Sequence, residues 1–165
     1  MIIIVMGVSG SGKTTVGRRL AEELGWSFYE GDDYHPPANI QKMTHGSALI
    51  DEDRSGWLDM LSQLLRELEG EGRSAVVACS ALKQLYRDVL VGRRTTDVRF
   101  VYLKGSRDLI RKRMSKRRGH YMKAGLLESQ FDILEEPAQS VVVDITESPG
   151  EIVNRVKRAL GLTNV

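Results

Sequence analysis

The amino-acid sequence predicts an α/β protein built around a mostly parallel sheet. Short apolar runs alternate with amphipathic stretches along the 165 residues, which is the pattern of strands that alternate with helices. The first apolar run, residues 2–6, has no polar alternation, so it is expected to be a central strand buried on both faces. A chain of this length fits one domain and can bury roughly 70% of its unfolded surface without a disulfide or a structural metal.

Five apolar runs predict five strands. They are rich in β-branched and aromatic residues, which suit the pleated surface of a sheet. The predicted strands cover residues 2–6, 26–29, 75–79, 98–103 and 141–143. Polar turns that contain glycine follow the first two strands, as expected where a strand ends near a ligand.

Six stretches between and after these strands predict helices. They cover residues 13–24, 36–45, 53–69, 83–92, 106–117 and a last segment that begins at residue 148. Between residues 53 and 69 the apolar side chains recur at helical spacing, which indicates a strongly amphipathic helix. Ser148, Pro149 and Glu151 form a capping box, which marks the start of the last helix.

Composition excludes several classes of protein. The apolar fraction of 41% and the charged fraction of 28% argue against a disordered, collagen-like or membrane chain. The apolar run over residues 1–6 is too short to span a bilayer, so no membrane association is expected. A single cysteine, Cys79, excludes an intrachain disulfide and favours a reducing, cytoplasmic location.

Residues 7–14 match the phosphate-binding loop G-x-x-x-x-G-K-[ST]. Its glycines let the backbone curl so that successive N–H groups point at phosphate oxygens, and the following helix adds its positive end. Lys13 is expected to reach the β- and γ-phosphates, and the Thr14 hydroxyl is expected to coordinate Mg²⁺. The predicted nucleotide contacts of the loop are Gly7, Val8, Ser9, Gly10, Ser11, Gly12, Lys13, Thr14 and Thr15.

The loop predicts nucleotide binding but does not select a reaction. A chance glycine turn is the alternative, and the buried strand before the loop and the amphipathic helix after it argue against that alternative. A GTPase would also need N-K-x-D, which is absent from the sequence. The D-x-x-G at residues 53–56 opens the leucine-rich helix instead of ending a strand.

Carboxylates follow the second strand at Glu30, Asp32 and Asp33. Ligands of an open α/β sheet bind beyond the carboxyl ends of its strands, so these side chains are expected to face the phosphate loop. Phosphoryl transfer to a hydroxyl needs an acceptor for the hydroxyl proton and anchors for the metal's water shell. The alternative is that Asp32 or Asp33 only caps the next helix.

Several segments together resemble the gluconokinase family, small kinases that phosphorylate D-gluconate on its 6-hydroxyl. The segments are the phosphate loop and residues 31–36, 51–54, 79–83, 86–88, 118–122 and 129–131. Their order and spacing fit the family from residue 2 to about residue 137. The phosphate loop is generic, whereas the D-D-Y-H-P, C-S-A-L-K and G-H-Y-M segments are specific.

The resemblance implies a three-layer α/β/α P-loop kinase fold in a single domain over residues 1–165. Its five-stranded parallel sheet would have the order 2-3-1-4-5, with a mobile basic lid at about residues 114–126. The implied cofactors are ATP and Mg²⁺, and the implied small-molecule substrate is D-gluconate. The family also suggests a homodimer.

The resemblance also assigns roles to residues of the acceptor site. Asp32 would hold the acceptor hydroxyl and take its proton, and Glu30 would join Thr14 near the Mg²⁺ waters. Arg54 would pair with the substrate carboxylate through the fork of its guanidinium. The other implied substrate contacts are His35, Ser80, Lys83, Arg87, His120 and Gln130. Ile50 stands where the family usually has a polar residue, so a contact with a sugar hydroxyl is expected to be missing there.

Residues 107–123 carry eight Lys or Arg side chains and one acid, a charge of +7 within a chain of net charge +2. Few aromatic residues are interleaved, so no nucleic-acid partner is expected. A lid whose arginines stabilise a transferring phosphoryl group explains the stretch better. Arg113 is expected to stack on the adenine and Arg117 to reach the phosphates, with Gly119 as a hinge.

Two alternatives remain open from the residues alone. One is a sibling kinase that acts on shikimate or another polyol acid, which would favour a glycine-rich step at residues 79–83. The other is a protein that binds nucleotides or nucleic acid without catalysis.

Overall fold

A computed structural model describes residues 1–93, 97–117 and 124–163. The strands are β1 (Ile2–Met6), β2 (Ser27–Glu30), β3 (Ala75–Ala78), β4 (Val98–Lys104) and β5 (Val141–Asp144). The helices are α1 (Lys13–Leu24), α2 (Pro37–Thr44), α3 (Asp51–Gly70), α4 (Gln84–Val91), α5 (Arg107–Ser115), α6 (Ala124–Ile133) and α7 (Pro149–Ala159). A short 3₁₀ turn, Gly31–Tyr34, follows β2.

The five strands form one parallel sheet in the order β2-β3-β1-β4-β5, which confirms the predicted topology. In the centre, Ile4 of β1 pairs with Val77 of β3 and with Phe100 of β4. Every residue of β1 is buried, because helices cover both faces of the sheet.

Two apolar cores lie on the two faces of the sheet and give the three layers. On one face Trp57, Leu61 and Leu65 of α3 pack on Ile2 and Ile4. The other core holds Ile3 and Val5 of β1, Val16 and Leu20 of α1, and Val153 and Val156 of α7. The alternation of β1 side chains between the two cores follows from the period of two in a strand.

A third, small cluster bridges separate elements above the sheet. Met43 of α2, Leu49 of the segment before α3, and Leu126 of α6 form it. We call these three residues the bridging cluster. It joins the α2 side of the site to the helix that follows the basic stretch.

The structure contains two elements that the sequence did not predict. The acidic turn forms a 3₁₀ turn, in which a Cβ at Gly31 would overlap the carbonyl oxygen of Ala78. Helix α6 was not predicted. Much of the expected lid, residues 118–123 with Gly119 and His120, lies outside the described residues. Among the described helices none is long and apolar enough to cross a membrane.

Candidate active site

The phosphate loop leaves the carboxyl end of β1 and enters α1. Gly7, Gly10 and Gly12 have φ values of 147°, 81° and 98°, which other residues rarely adopt. A Cβ at Gly7 would lie 3.0 Å from the carbonyl oxygen of Leu103, so the loop also needs glycine for space. The buried Ser11 hydroxyl has no hydrogen-bond partner among the described residues. This curled backbone, with an unpaired polar atom inside it, fits a bound phosphate.

Lys13 connects the phosphate loop to the acidic turn. Its Nζ donates a hydrogen bond to the carbonyl oxygen of Val8, at 3.0 Å. Burial lowers the pKa of Lys13, and the nearby carboxylates of Asp32 and Glu30 partly oppose this effect. The ammonium group therefore lies where the loop and the carboxylates of the turn both influence it.

Thr14 and Glu30, the two predicted metal ligands, are in direct contact. The Thr14 hydroxyl donates to Oε2 of Glu30 at 2.5 Å. Oxygen donors of this kind are the ones Mg²⁺ prefers, and Mg²⁺ is usually held by one or two protein groups together with substrate phosphates. The described residues contain no cluster of three His, Cys, Asp or Glu side chains that could hold a metal alone. The pair thus suits a shared metal–nucleotide site.

A cavity of about 320 Å³ lies beside the loop and the start of α1. Gly10, Gly12 and Thr15 line one side of it, and Arg113, Lys116 and Arg117 line another. Arg113 Nη2 donates to the carbonyl oxygen of Ile145 at 2.5 Å, which holds its guanidinium at the cavity wall. Five of the ten predicted nucleotide contacts therefore line one cavity: Gly10, Ser11, Gly12, Thr15 and Arg113.

The basic side chains that follow β4 make two different sets of contacts. Arg107 and Arg111 pair with Glu128 of α6, and the guanidinium of Arg107 lies 5.0 Å from the ring centroid of Phe131. These two arginines join α5 to α6, whereas Arg113, Lys116 and Arg117 line the cavity beside the phosphate loop. Positive charge is thus placed both between the two helices and at this cavity.

A second cavity, of about 40 Å³, lies between the phosphate loop and the acidic turn. We call it the acceptor cavity. The predicted site residues that line it are Ser9, Lys13, Asp32, His35, Arg54, Ser80 and Gln130. Met43, Leu49 and Trp57 supply apolar walls. Polar groups that follow β1, β2 and β3 therefore meet at one edge of the sheet, as the parallel topology requires.

His35 and Asp32 face each other inside this cavity. Nε2 of His35 lies 4.0 Å from Oδ1 of Asp32, and the Asp32 side chain is 53% exposed. The His35 side chain is only 6% exposed, and its ring stacks on Trp57 with 4.3 Å between the ring centroids. Burial lowers the pKa of His35 to about 4, with Asp32 opposing and Arg54 adding to the shift. His35 is therefore neutral near pH 7.

Arg54 is held at the cavity by neighbours that sequence reasoning missed. Its Nη1 donates to the carbonyl oxygen of Leu49 at 2.5 Å and to the hydroxyl of Tyr86 at 3.3 Å. Tyr86 in turn donates to Oδ1 of Asp51 at 2.5 Å. Tyr86 lies three residues beyond Lys83 in a segment that carried the resemblance, but no sequence pattern indicated its partner.

The structure does not bring Lys83 or Arg87 to the acceptor cavity. Lys83 Nζ pairs with Asp51 at 2.9 Å. Arg87 is buried, at 3% exposure, and donates to the carbonyl oxygens of Ala81 and Leu82 at 2.8 and 3.2 Å. Arg87 thus stabilises the turn at Ala81, whose φ is 45°. Their contacts in the structure support β3 and α4, and their contact with the substrate stays a prediction.

Gln130 and Ile50 also have positions that sequence spacing could not supply. The Oε1 of Gln130 accepts a hydrogen bond from the backbone N–H of Ser9 at 2.6 Å, which ties α6 to the phosphate loop. Ile50 is 55% exposed and does not line the acceptor cavity. The loss of a hydroxyl contact at residue 50 therefore stays a prediction.

Asn39 is a further site residue that the sequence analysis missed. It is buried on α2, and its Nδ2 donates to the carbonyl oxygen of Asp53 at 2.8 Å. The same nitrogen lies 3.3 Å from Nδ1 of His35. His35 lies two residues before α2 begins, so the helical spacing rule does not apply to this pair, and no sequence pattern indicated the contact.

Comparison with known proteins identifies the family. A family model described as an AAA domain matches residues 2–137. The gluconokinase of Gluconobacter oxydans is 48% identical over 82% of this chain and 75% of its own. A "Probable gluconokinase" of Xenopus tropicalis is 41% identical over 95% of this chain and 92% of its own. The chain belongs to the gluconokinase family.

The solved structure of a gluconokinase from Sinorhizobium meliloti agrees with this assignment. It has a TM-score of 0.86 and 42% identity, and the match covers 96% of this chain and 90% of that one. Gluconokinase relatives at this identity confirm the resemblance that the sequence segments indicated. The comparisons therefore favour a kinase over a nucleotide-binding protein without catalysis.

Proposed function

We infer that this protein transfers the γ-phosphoryl group of ATP to the 6-hydroxyl of D-gluconate and forms 6-phospho-D-gluconate. One observation carries the inference. The acceptor cavity places a carboxylate, Asp32, and a guanidinium, Arg54, beside Lys13 of the phosphate loop. A sugar acid has a hydroxyl for the first group and a carboxylate for the second. The family membership agrees with this chemistry.

Asp32 is proposed to receive the hydroxyl proton. As the acceptor oxygen forms its bond to the γ-phosphorus, the bond to the bridging oxygen of ADP breaks and the proton passes to the carboxylate. The half-exposed Asp32 side chain is free to turn toward a bound hydroxyl. Lys13, and Arg117 from the basic stretch, would stabilise the charge that develops on the phosphoryl oxygens.

Thr14 and Glu30 are the residues proposed to hold Mg²⁺. Their oxygen atoms are adjacent, at 2.5 Å, and lie at the entrance of α1 beside the phosphate loop. When bound, the ion would neutralise negative charge on the β- and γ-phosphates. The loop residues, Thr15 and Arg113 would hold the remainder of ATP at the neighbouring cavity.

His35, Ser80 and Gln130 are proposed to contact the hydroxyl groups of the acceptor, because they line the same cavity as Asp32 and Arg54. His120 lies outside the described residues, so its contact stays a prediction.

The cytoplasmic location also stays a proposal, and it is supported by the lone thiol of Cys79. Burial raises the pKa of Cys79 to about 12, so this thiol is unreactive. The homodimer remains a prediction that light scattering can test.

An ADP-release assay over a panel of sugar acids tests the function. We expect selective turnover of D-gluconate, and turnover of shikimate at equal or greater efficiency would contradict the substrate assignment. Asp32→Asn should lower kcat by about 10²- to 10⁴-fold, the range for a lost general base, while the KM for ATP stays unchanged. An unchanged kcat would show that Asp32 is not the base. Asp33→Asn, which removes the neighbouring carboxylate of the same turn, is the matched control.

A further inference from the structure

A chain of three side chains runs from the interior of α2 to the acceptor cavity. Asn39 contacts His35 through Nδ2 and Nδ1 at 3.3 Å, and His35 faces Asp32 through Nε2 at 4.0 Å. Asn39 and the side chain of His35 are buried, whereas the Asp32 side chain is half-exposed. These contacts between side chains are separate from the contacts that hold Arg54.

The orientation of the Asn39 amide follows from its second partner. The carbonyl oxygen of Asp53 can only accept a hydrogen bond, so the Asn39 atom 2.8 Å from it must be the amide nitrogen. That –NH₂ group has two hydrogens and no acceptor capacity. Its second hydrogen faces Nδ1 of His35, and a flipped amide would place two acceptors against each other at Asp53.

The tautomer of His35 follows from the amide. Because the amide nitrogen can only donate, Nδ1 must be the unprotonated ring nitrogen that accepts. The single proton of the neutral ring then lies on Nε2, the nitrogen that faces Asp32. Stacking on Trp57, with 12° between the ring planes, holds the plane of the ring, and the contact of Nδ1 with Asn39 sets which ring edge faces Asp32.

We propose that Asn39 is a positioning residue that keeps His35 in its Nε2–H tautomer, so that His35 presents a hydrogen-bond donor to the Asp32 carboxylate. The proposal rests on the proposed role of Asp32 as the base. A small rotation of the exposed Asp32 side chain closes the distance of 4.0 Å to a hydrogen bond, and a bound hydroxyl or one water can bridge it. One carboxylate oxygen is then held by His35, and the other is available for the hydroxyl proton.

The opposite tautomer would reverse the interaction. With the proton on Nδ1, the Nε2 lone pair would face a carboxylate oxygen, and two acceptors repel each other. Asn39 would also be left with a buried, unpaired donor, which carries a desolvation cost. A protonated ring would add a positive charge beside Arg54, whose guanidinium already disfavours it. The neutral Nε2–H form is thus the one that can donate a hydrogen bond to Asp32 without adding charge to the site.

Nitrogen NMR tests the tautomer directly. The chain has three histidines, so long-range ¹H–¹⁵N spectra of ¹⁵N-histidine-labelled protein are simple, and loss of one set of signals in His35→Gln assigns His35. At pH 7 we expect a protonated Nε2 and an unprotonated Nδ1 for His35. In Asn39→Asp the new carboxylate accepts from Nδ1, so the proton should move there or the ring should become doubly protonated. A wild-type ring with its proton on Nδ1, or on both nitrogens, would overturn the proposal.

Two substitutions of His35 separate positioning from packing. His35→Phe keeps an aromatic ring on Trp57 but removes the donor, and His35→Gln keeps an amide donor near the position of Nε2 but removes the ring. We expect His35→Phe to lower kcat by roughly 10- to 100-fold, the size of effect that misplacement of a reacting group produces, at an unchanged KM for ATP. His35→Gln should retain at least several-fold more activity than His35→Phe. An equal or greater loss in His35→Gln would mean that the ring only fills space.

Other variants distinguish this proposal from the proposed function. Thr44→Ala changes an exposed residue on the same helix as Asn39 and should leave kcat and the NMR signals of His35 unchanged. A large loss in Asp32→Asn with full activity in His35→Phe would refute the positioning role alone. Full activity in Asp32→Asn would refute the proposed base, whereas the NMR spectra would still confirm or refute the tautomer.

Discussion

Replacement of Arg54 by lysine tests whether the acceptor cavity recognises a carboxylate. Nη1 of Arg54 is engaged by Leu49 and Tyr86, and the described residues supply no hydrogen bond to its Nη2 and Nε. These two donors can therefore form a fork with the substrate carboxylate, which lysine cannot. Loss of one charge-assisted hydrogen bond costs about 1.5–3 kcal/mol. At about 1.4 kcal/mol for each factor of ten, KM for D-gluconate should rise about 10- to 150-fold.

The assay measures ADP release with D-gluconate and with its neutral amide, D-gluconamide. For D-gluconate, Arg54→Lys should raise KM with little change in kcat, because ground state and transition state share this contact. For the amide, wild type and variant should differ by no more than about twofold, the size expected of independent changes. Arg66→Lys, on the exposed side of the same helix, is the matched control. An equal penalty for both acceptors would refute the assignment of Arg54 to the carboxylate.

Three further predictions concern the phosphate loop, the metal and pH. Gln130→Leu removes the partner of the Ser9 N–H and should destabilise the ATP-free protein by about 1–3 kcal/mol; thermal unfolding measures this, and an unchanged midpoint would contradict it. Glu30→Gln should raise the Mg²⁺ concentration needed for half-maximal activity several-fold, because Thr14 loses its anionic neighbour; an unchanged requirement would remove Glu30 from the metal site. Burial lowers the pKa of His35 from 6.5 to about 4, so the unfolded chain binds a proton that the folded one does not. The free energy of unfolding should therefore fall by about 3 kcal/mol as pH drops from 6.5 through 4, at about 1.4 kcal/mol per pKa unit. Urea unfolding of His35→Phe should show a smaller fall, and an identical fall would place its cause elsewhere.

The fold was predictable because its signals are local. The uninterrupted β-branched run at residues 2–6 indicated the central strand, and residues 53–69 showed a clear helical period. The order of the strands came from the family resemblance, since apolar runs do not reveal which strands are neighbours. The 3₁₀ turn at Gly31–Tyr34 was missed because it depends on the close approach of Gly31 to the backbone of β3.

The site was predictable where residues directly follow strands. Parallel strands bring their carboxyl ends to one edge, so Asp32 and Ser80 were expected beside the phosphate loop, and the structure places them there. The pairing of Lys83 with Asp51 and the burial of Arg87 were not foreseen, because spacing alone does not tell which way a side chain points at the start of α4. Asn39 was missed because it acts through His35 and carries no reactive group of its own.

The bridging cluster has a consequence for how the acceptor enters. The acceptor cavity, at about 40 Å³, has room for about three water molecules, far less than a six-carbon sugar acid requires. Met43 and Leu49 belong both to the wall of that cavity and to the cluster that Leu126 completes. We expect the contact between α2 and α6 to loosen when the acceptor binds, so that the apparent affinity is reduced by the fraction of molecules that are open. A weaker cluster would admit the acceptor more readily but would also admit water, which competes for the phosphoryl group. We therefore expect this apolar contact to influence the balance between phosphoryl transfer to the acceptor and hydrolysis of ATP.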